Sequence, residues 1–216
     1  MIAFAIAVAD PTTYASAAVP GLRRAAEPDS PIAELTADRG SLHACYDEAL
    51  EHFAALDDLE ALVLLHQDTE LLDHDFCARV RAELADPEVA VCGVVGARGV
   101  HRLDWWAGEL VGRVAETRGV VAGLPAPDDA DAVDGLLLVL SPWAVRRLRF
   151  AHPGADGFDG YDVDLCFQAR AAGRRVRVMD TAVHHHCRAD RTCDEAWHRA
   201  AGRFRERWGD AEPLTR

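Results

Sequence analysis

The sequence predicts an α/β protein built on a single, mostly parallel, Rossmann-like sheet flanked by helices. Apolar runs of strand length alternate along the chain with segments of helical periodicity. Several of these runs are continuous in Val, Leu and Ile, as expected of strands that helices cover on both faces. The chain has 216 residues, of which 50% are hydrophobic, so we expect one domain over 1–216 with a substantial core.

The predicted strands are short apolar runs bounded by charged or turn-forming residues. In chain order they are Ile2–Val8, Ile32–Thr36, Ala61–Leu65, Val89–Val95, Val133–Leu140 and Arg175–Met179. The stretch 96–131 mixes Gly, Pro and charged residues without a clear period. We expect it to be a long irregular excursion on the substrate side.

The predicted helices combine apolar positions on one face with capping residues at the ends. They run from Ser41 to about Leu56, from Asp73 or Asp75 to Leu84, briefly from Pro142, over Tyr161–Ala172 with Gly173 as the closing residue, and over Asp194–Trp208.

Composition and charge exclude several classes of partner. The formal net charge is -13, which argues against non-specific binding to nucleic acid or to anionic membranes. No apolar run approaches the roughly 18 residues that a transmembrane helix needs. The first eight residues lack a basic segment and predict a strand instead of a signal peptide, so we expect a cytoplasmic protein. All basic residues are Arg, and Lys and Asn are both absent, which indicates a GC-rich bacterial genome.

The most informative segment is the strand Ala61–Leu65 with the polar residues that follow it, His66 to Glu70. A buried strand ends here in acidic residues, at the edge where open α/β sheets bind ligands. Asp68 held there could bind Mg²⁺ or Mn²⁺, and the cation would clamp a diphosphate. The alternative is a polar turn that only caps the next helix.

A second segment places two acids in the first turn of a predicted helix. Asp162 is favoured there by the helix dipole. Asp164, two residues on, points to a different side of the helix, so the two carboxylates cannot act as one bidentate site. One would be a base or metal-side group and the other a structural cap, unless both are ordinary capping residues.

Aromatic residues supply two further candidates. His184, His185 and His186 follow the last predicted strand, and in an extended chain His184 and His186 share a face while His185 points away. They would bind a metal or form a polar segment without a ligand. Trp105 and Trp106 would stack on a sugar ring or a base, or serve as packing anchors.

Taken in this order and spacing, these segments resemble the inverting GT-A glycosyltransferases of family 2. The run at 162–173 is similar to their E-D-x-D-L-C-x-R-x-x-x-x-G signature. The segments at 41–50 and 65–68 resemble the S-x-x-x-x-Y-N-x-A-L and L-H-Q-D motifs of a streptomycin-biosynthesis-type, glycosyltransferase-like subgroup. The resemblance extends over nearly the whole chain, from about Ile2 to Trp208.

The resemblance implies a GT-A fold with a nucleotide-binding half at about 1–95 and an acceptor and catalytic half at about 96–216. The expected substrates are a nucleoside-diphosphate sugar and a hydroxyl acceptor, and the expected cofactor is a divalent cation, Mn²⁺ or Mg²⁺. The oligomeric state is left open.

Each site role comes from this resemblance. Asp68 would bind the metal on the diphosphate, and Asp162 would be the general base. His185 would complete the metal shell, with His184 and His186 as the other choices. The remaining assignments are Asp38 and His66 on the nucleotide and donor side, and Trp106 and Asp134 on the acceptor side.

The chain departs from the family pattern at three positions. His66 replaces the first Asp of the family's D-x-D, Tyr161 replaces the Glu of its E-D pair, and Asp47 replaces the subgroup's Asn. Because this Glu is lost, Asp164 is the alternative to Asp162 as the base. The departures keep a second interpretation open, a non-catalytic GT-A-like module that binds a nucleotide or a partner. A third is a metal-dependent hydrolase that uses Asp68 and the His run.

Overall fold

The computed structural model describes residues 1–36, 41–150, 152, 157–187 and 193–209. The strands in these residues are β1 (Ile2–Val8), β2 (Ile32–Thr36), β3 (Ala61–His66), β4 (Thr69–Leu71), β5 (Val89–Gly93), β6 (Val95–Arg98), β7 (Glu109–Glu116), β8 (Gly119–Ala122), β9 (Asp128–Ala130), β10 (Ala132–Val133), β11 (Leu137–Leu140), β12 (Arg175–Val178) and β13 (Val183–His185). The helices are α1 (Pro11–Ser16), α2 (Ala18–Ala25), α3 (Leu42–Ala54), α4 (Phe76–Leu84), α5 (Pro142–Arg147), α6 (Tyr161–Ala171) and α7 (Glu195–Trp208).

The larger sheet has seven strands in the order β2-β1-β3-β11-β5-β12-β9. β1 is parallel to β2 and β3, and β12 is parallel to β5, while β11 and β9 run antiparallel to their neighbours. The apolar runs of β1, β3 and β11 are buried, as their continuous Val, Leu and Ile content predicts. The α/β class is therefore confirmed, and the sheet is mixed rather than mostly parallel.

A second sheet corrects the expectation of a single one. Its order is β10-β6-β7-β13-β4, with β8 paired to β7. The stretch 96–131, predicted to be irregular, supplies β7, β8 and most of β6 and contains β9. Gly112 explains why the sequence does not predict β7. Its φ of 81° interrupts the alternation of inward and outward side chains within the strand. A Cβ at this position would lie 2.3 Å from the Val94 carbonyl oxygen.

Two predicted strands are each divided between the two sheets. Val89–Val95 separates at Val94 into β5 and β6, and Val133–Leu140 separates into β10 and β11. In the second case Asp134 makes the break, because its Oδ1 accepts a hydrogen bond from the Leu136 N–H at 3.0 Å. Asp134 therefore lies in a turn, not in the strand predicted from the sequence.

The helices follow the sequence prediction closely after residue 41. The Ser141 hydroxyl caps α5 by accepting from the Ala144 N–H at 3.3 Å, and the Asp194 carboxylate caps α7 by accepting from the Trp197 N–H at 3.0 Å. Gly173, with a φ of 73°, closes α6. The structure adds α1 and α2, which the sequence analysis does not predict. None of the helices in the described ranges combines the length and apolar character that crossing a membrane requires.

Candidate active site

The candidate site lies where the two sheets meet. His66 is the last residue of β3 in the larger sheet, and the tight turn at Gln67 and Asp68 leads directly into β4 of the second sheet. β13 pairs with β4, and the His186 N–H donates to the Asp68 carbonyl oxygen at 2.7 Å. This pairing brings the end of the polar His run beside the Asp68 turn.

His66, Asp68 and His185 form a cluster whose ligand atoms all lie within 4.8 Å of one another. The His185 Nε2 atom is 3.5 Å from Asp68 Oδ2, and the His66 Nδ1 atom is 4.0 Å from Asp68 Oδ1. The strand alternation turns the other two histidines away. His184 and His186 stack on each other with ring centroids 4.3 Å apart, and His186 pairs with Glu70 at 3.2 Å.

The charges of the cluster are coupled. Burial by itself would raise the pKa of Asp68, but the hydrogen bond from His185 and the charges of His66 and His185 outweigh it, so this pKa is lowered. Burial by itself would lower the pKa of His185, but the hydrogen bond and charge of Asp68 outweigh it, and Asp134 and Glu116 add to the effect, so this pKa is raised. Asp68 is therefore an anion at neutral pH.

The three side chains fit a divalent cation. Two imidazole nitrogens and one carboxylate oxygen converge, and ligands that share an ion lie about 3–4 Å apart when each bond is about 2.1 Å. The distances within the cluster are close to this range, so small rotations of the side chains would complete the geometry. Imidazole and carboxylate are common ligands of divalent transition metals.

A cavity of about 350 Å³ adjoins the cluster. This volume is typical of a small-molecule site. Its lining comes from the end of β1, the start of α3, the turn after β3 and the segment before α6, with the residues Ala7, Ala9, Ser41, Leu42, Cys45, Tyr46, His66, Gln67, Asp68, Gly157 and Phe158. Gln67 also organises the cavity, since its Oε1 accepts from the N–H groups of Ala9 and Asp10 at 2.8 Å each.

Two hydroxyl groups of the cavity-lining residues have no hydrogen-bond partner among the residues that the structure describes. They are Ser41 Oγ and Tyr46 Oη, and both atoms are buried. Burial raises the pKa of the Tyr46 phenol, and the charges of Asp68 and Asp162 add to this, so the hydroxyl stays protonated. An unpaired buried hydroxyl costs stability, typically about 1–3 kcal/mol. Polar groups left unpaired beside a cavity are natural partners for a ligand.

Asp162 lies at the start of α6 and is only 5% exposed. Its Oδ2 accepts from the Gly135 N–H at 3.0 Å, and its Oδ1 accepts from the Val163 N–H at 2.9 Å. These two backbone donors hold the carboxylate in one orientation.

Asp164 has different partners. Its carboxylate accepts from Trp208 Nε1 at 2.6 Å, from Arg207 Nη1 at 3.0 Å and from Gln168 Nε2 at 2.7 Å. Asp164 therefore holds α7 against α6, and these three hydrogen bonds occupy most of the roughly four acceptor positions of its carboxylate. It is a poor substitute base.

The remaining predicted residues are more widely distributed. Asp134 is near enough to His185 for its charge to raise the pKa of that imidazole. Trp106 is 42% exposed and lies against Trp105 and Trp197, whereas Trp105 is buried as a packing anchor. Asp38, predicted to contact the nucleoside, lies outside the described residues.

Sequence reasoning missed two side chains that contact the cluster. The His66 Nε2 atom is 2.5 Å from the Tyr161 hydroxyl, and the His185 Nδ1 atom is 3.2 Å from Glu116 Oε1. Tyr161 was noted only as a replacement for a family Glu. Glu116 lies in β7, in the stretch without a clear period, and no local pattern marks it.

The fold and the site together define the class of protein. The chain has the GT-A fold, because it is similar over 88% of its length to GalNAc-T7 in complex with UDP, GalNAc and Mn²⁺, with a TM-score of 0.61 and 11% identity, covering 44% of that chain. It is similar over 91% of its length to the mannosyltransferase PcManGT from Pyrobaculum calidifontis in complex with GDP-Man and Mn²⁺, with a TM-score of 0.56 and 15% identity, covering 59% of that chain.

More narrowly, the chain belongs to the glycosyltransferase-like family, whose model matches residues 3–208. It is 31% identical over 189 residues to the streptomycin biosynthesis protein StrF from Streptomyces griseus. That match covers 86% of this chain and 66% of the relative, so the chain spans just under two thirds of StrF.

Proposed function

We propose that this protein is an inverting glycosyltransferase that moves a sugar from a nucleoside-diphosphate sugar to an acceptor hydroxyl. The observation that carries the proposal is the His66, Asp68 and His185 cluster at the sheet edge, directly beside a cavity of about 350 Å³. The two similar GT-A structures contain Mn²⁺ with UDP or GDP-Man, which supports a nucleotide-bearing donor.

His66, Asp68 and His185 would hold a divalent cation, Mn²⁺ or Mg²⁺. When bound, the cation would neutralise charge on the leaving diphosphate. The cavity lined by Ser41 and Tyr46 would receive the donor and place its diphosphate beside the cluster.

Asp162 would act as the general base. Its carboxylate would take the proton of the acceptor hydroxyl as that oxygen forms the new bond to the anomeric carbon and the bond to the diphosphate breaks. A single displacement of this kind inverts the anomeric configuration. The N–H groups of Gly135 and Val163 would keep the carboxylate oriented during the proton transfer.

A non-catalytic GT-A-like module that binds a nucleotide or a partner is the second candidate, and one observation favours it. Asp162 is nearly buried and both its oxygens already accept backbone hydrogen bonds, which also fits a purely structural role.

The test is an assay of purified protein with UDP- and GDP-sugars, Mn²⁺ and a panel of sugar and alcohol acceptors, read by NMR of the anomeric proton. We expect a product of inverted configuration that depends on both metal and acceptor. A product of retained configuration would contradict the inverting mechanism. Donor hydrolysis faster than transfer would favour a hydrolase, and nucleotide binding without turnover would favour the non-catalytic module.

A further inference from the structure

Two of the positions at which this chain departs from the family signature contact each other. His66 takes the place of the first Asp in D-x-D, and Tyr161 takes the place of the Glu in the E-D pair. They are 95 residues apart in sequence, yet the His66 Nε2 atom lies 2.5 Å from the Tyr161 hydroxyl. The two replacements therefore form one hydrogen-bonded unit beside Asp68.

The Tyr161 hydroxyl is held in a defined position. The residue is 2% exposed, and its ring packs against Tyr46, Phe150 and Phe158 with centroids 5.5 to 6.1 Å apart. Gly135 leaves the room in which the hydroxyl lies, since a Cβ there would be 2.0 Å from Tyr161 Oη. The hydroxyl consequently cannot move far from His66.

The second imidazole is held in the same way. His185 Nδ1 is 3.2 Å from Glu116 Oε1, while its Nε2 faces Asp68 Oδ2 at 3.5 Å. In His66 the Nε2 faces Tyr161, and the Nδ1 is 4.0 Å from Asp68 Oδ1. Each ring therefore has one nitrogen bound by an outer partner and the other directed at the same carboxylate. When the outer nitrogen carries the proton, the inner one is unprotonated and is the atom that can coordinate a metal.

We propose that Tyr161 and Glu116 are positioning residues that turn His66 and His185 into a preformed site with two nitrogen ligands and one oxygen ligand, which selects a divalent transition metal over Mg²⁺. The proposal rests on the metal role given to this cluster in the proposed function and specifies which ion it takes. Imidazole favours ions such as Mn²⁺, Co²⁺ and Zn²⁺, whereas Mg²⁺ favours carboxylate and water oxygen.

The test measures binding of the metals alone to the full chain, by isothermal titration calorimetry with Mn²⁺, Co²⁺ and Mg²⁺. The visible absorption of bound Co²⁺ reports nitrogen ligation independently of activity. We expect the wild-type chain to bind Mn²⁺ and Co²⁺ at least roughly tenfold more tightly than Mg²⁺. Tyr161→Phe should weaken Co²⁺ and Mn²⁺ binding by about 10–100-fold, the usual effect of losing an outer partner of a metal-binding His, and should alter the Co²⁺ spectrum.

Tyr14→Phe is the matched control. Tyr14 is also buried, and its hydroxyl is also hydrogen-bonded to a side chain, that of Glu34 at 2.9 Å, which is not part of the cluster. It should leave metal affinity unchanged. His66→Asp provides a second variant, which should shift preference towards Mg²⁺ and make the further change Tyr161→Phe neutral for metal binding.

Equal affinity of the wild-type chain for Mg²⁺ and Mn²⁺ would overturn the proposal, as would unchanged metal affinity in a folded Tyr161→Phe variant. Sugar transfer assayed in parallel distinguishes failure of this inference about metal selectivity from failure of the proposed function. Selective Mn²⁺ binding without any transfer would contradict the function and support the inference. Sugar transfer by a chain that does not prefer Mn²⁺ would support the proposed function and contradict the inference about metal selectivity.

Discussion

Asp162 and Asp164 lie in the same turn of α6, and the comparison between them shows how one motif serves two purposes. Asp162 accepts hydrogen bonds from backbone N–H groups near the cluster, whereas Asp164 accepts from the side chains of Gln168, Arg207 and Trp208. Because residues two apart on a helix point to different sides, the Asp164 carboxylate secures α7, whereas the Asp162 carboxylate lies against the Gly135 backbone. The two acids should therefore differ in what their removal changes.

The largest effect on turnover is expected from replacing Asp162. Asp162→Asn keeps the shape of the side chain but removes the base, so turnover should fall by about 10²–10⁴-fold. Donor binding should persist, whereas the thermal midpoint should fall somewhat, because the Asn amide oxygen can accept only one of the two backbone hydrogen bonds that the carboxylate accepts. Steady-state kinetics with a nucleoside-diphosphate sugar, together with circular dichroism melts, would measure both, and unchanged turnover would refute Asp162 as the base.

Asp68→Ala should abolish the metal-dependent part of nucleotide binding. Loss of an outer partner alone usually costs about 10–100-fold in metal affinity, so loss of a direct ligand should cost ~100-fold or more. Calorimetry with UDP or GDP in Mn²⁺ would show this. The control is Glu70→Gln, close in the chain, because Glu70 pairs with Arg24 and His186 outside the cluster. If nucleotide binds Asp68→Ala as tightly as wild type, the metal assignment is wrong.

Asp164→Ala should act on stability instead. It leaves the Arg207 guanidinium and the Trp208 indole N–H without their acceptor, so the free energy of unfolding should fall by about 2–3 kcal/mol. Urea denaturation would measure the loss, and turnover per folded molecule should remain near wild type at low temperature. A larger loss of turnover than in Asp162→Asn would reverse the roles given to the two acids.

The smallest effect, a modest loss of donor affinity, is expected from replacing Tyr46. Tyr46→Phe removes a buried hydroxyl that lacks a partner within the described part of the chain, so the ligand-free protein should be as stable as wild type or slightly more stable. If the donor supplies the partner, its affinity should fall about 2–10-fold, the equivalent of one hydrogen bond. Thermal melts with and without donor would separate the two effects, and equal donor affinity would exclude this hydroxyl from the donor site.

Local pattern predicted much of the fold. β1 and β2 match their predicted bounds, and α3, α6 and α7 agree within two residues at each end, since apolar periodicity and capping residues are local signals. α2 was missed because Pro20 and Gly21 suggest a turn. Gly21 is needed there for packing, as a Cβ would lie 2.4 Å from the Leu71 backbone nitrogen. The second sheet was missed because Gly112 breaks the alternation of β7.

Local sequence likewise predicted the individual residues of the candidate site but not the long-range contacts between them. Asp68, His66 and His185 were all named from the sequence, and the structure brings them into one cluster. Their roles in metal and donor binding stay predictions. Tyr161 and Glu116 could not be assigned as partners of the two imidazoles, because those contacts join residues 95 and 69 positions apart and depend on how the sheets meet.

The central claim is that this chain binds a nucleoside-diphosphate sugar through a metal held at Asp68. The most direct measurement is a thermal-shift screen of UDP- and GDP-sugars against the full chain in Mn²⁺ and again with a chelator. The account predicts that at least one nucleotide sugar raises the unfolding midpoint in Mn²⁺ and that the chelator removes the shift. No shift with any of these donors, or a shift of the same size in chelator, would contradict it.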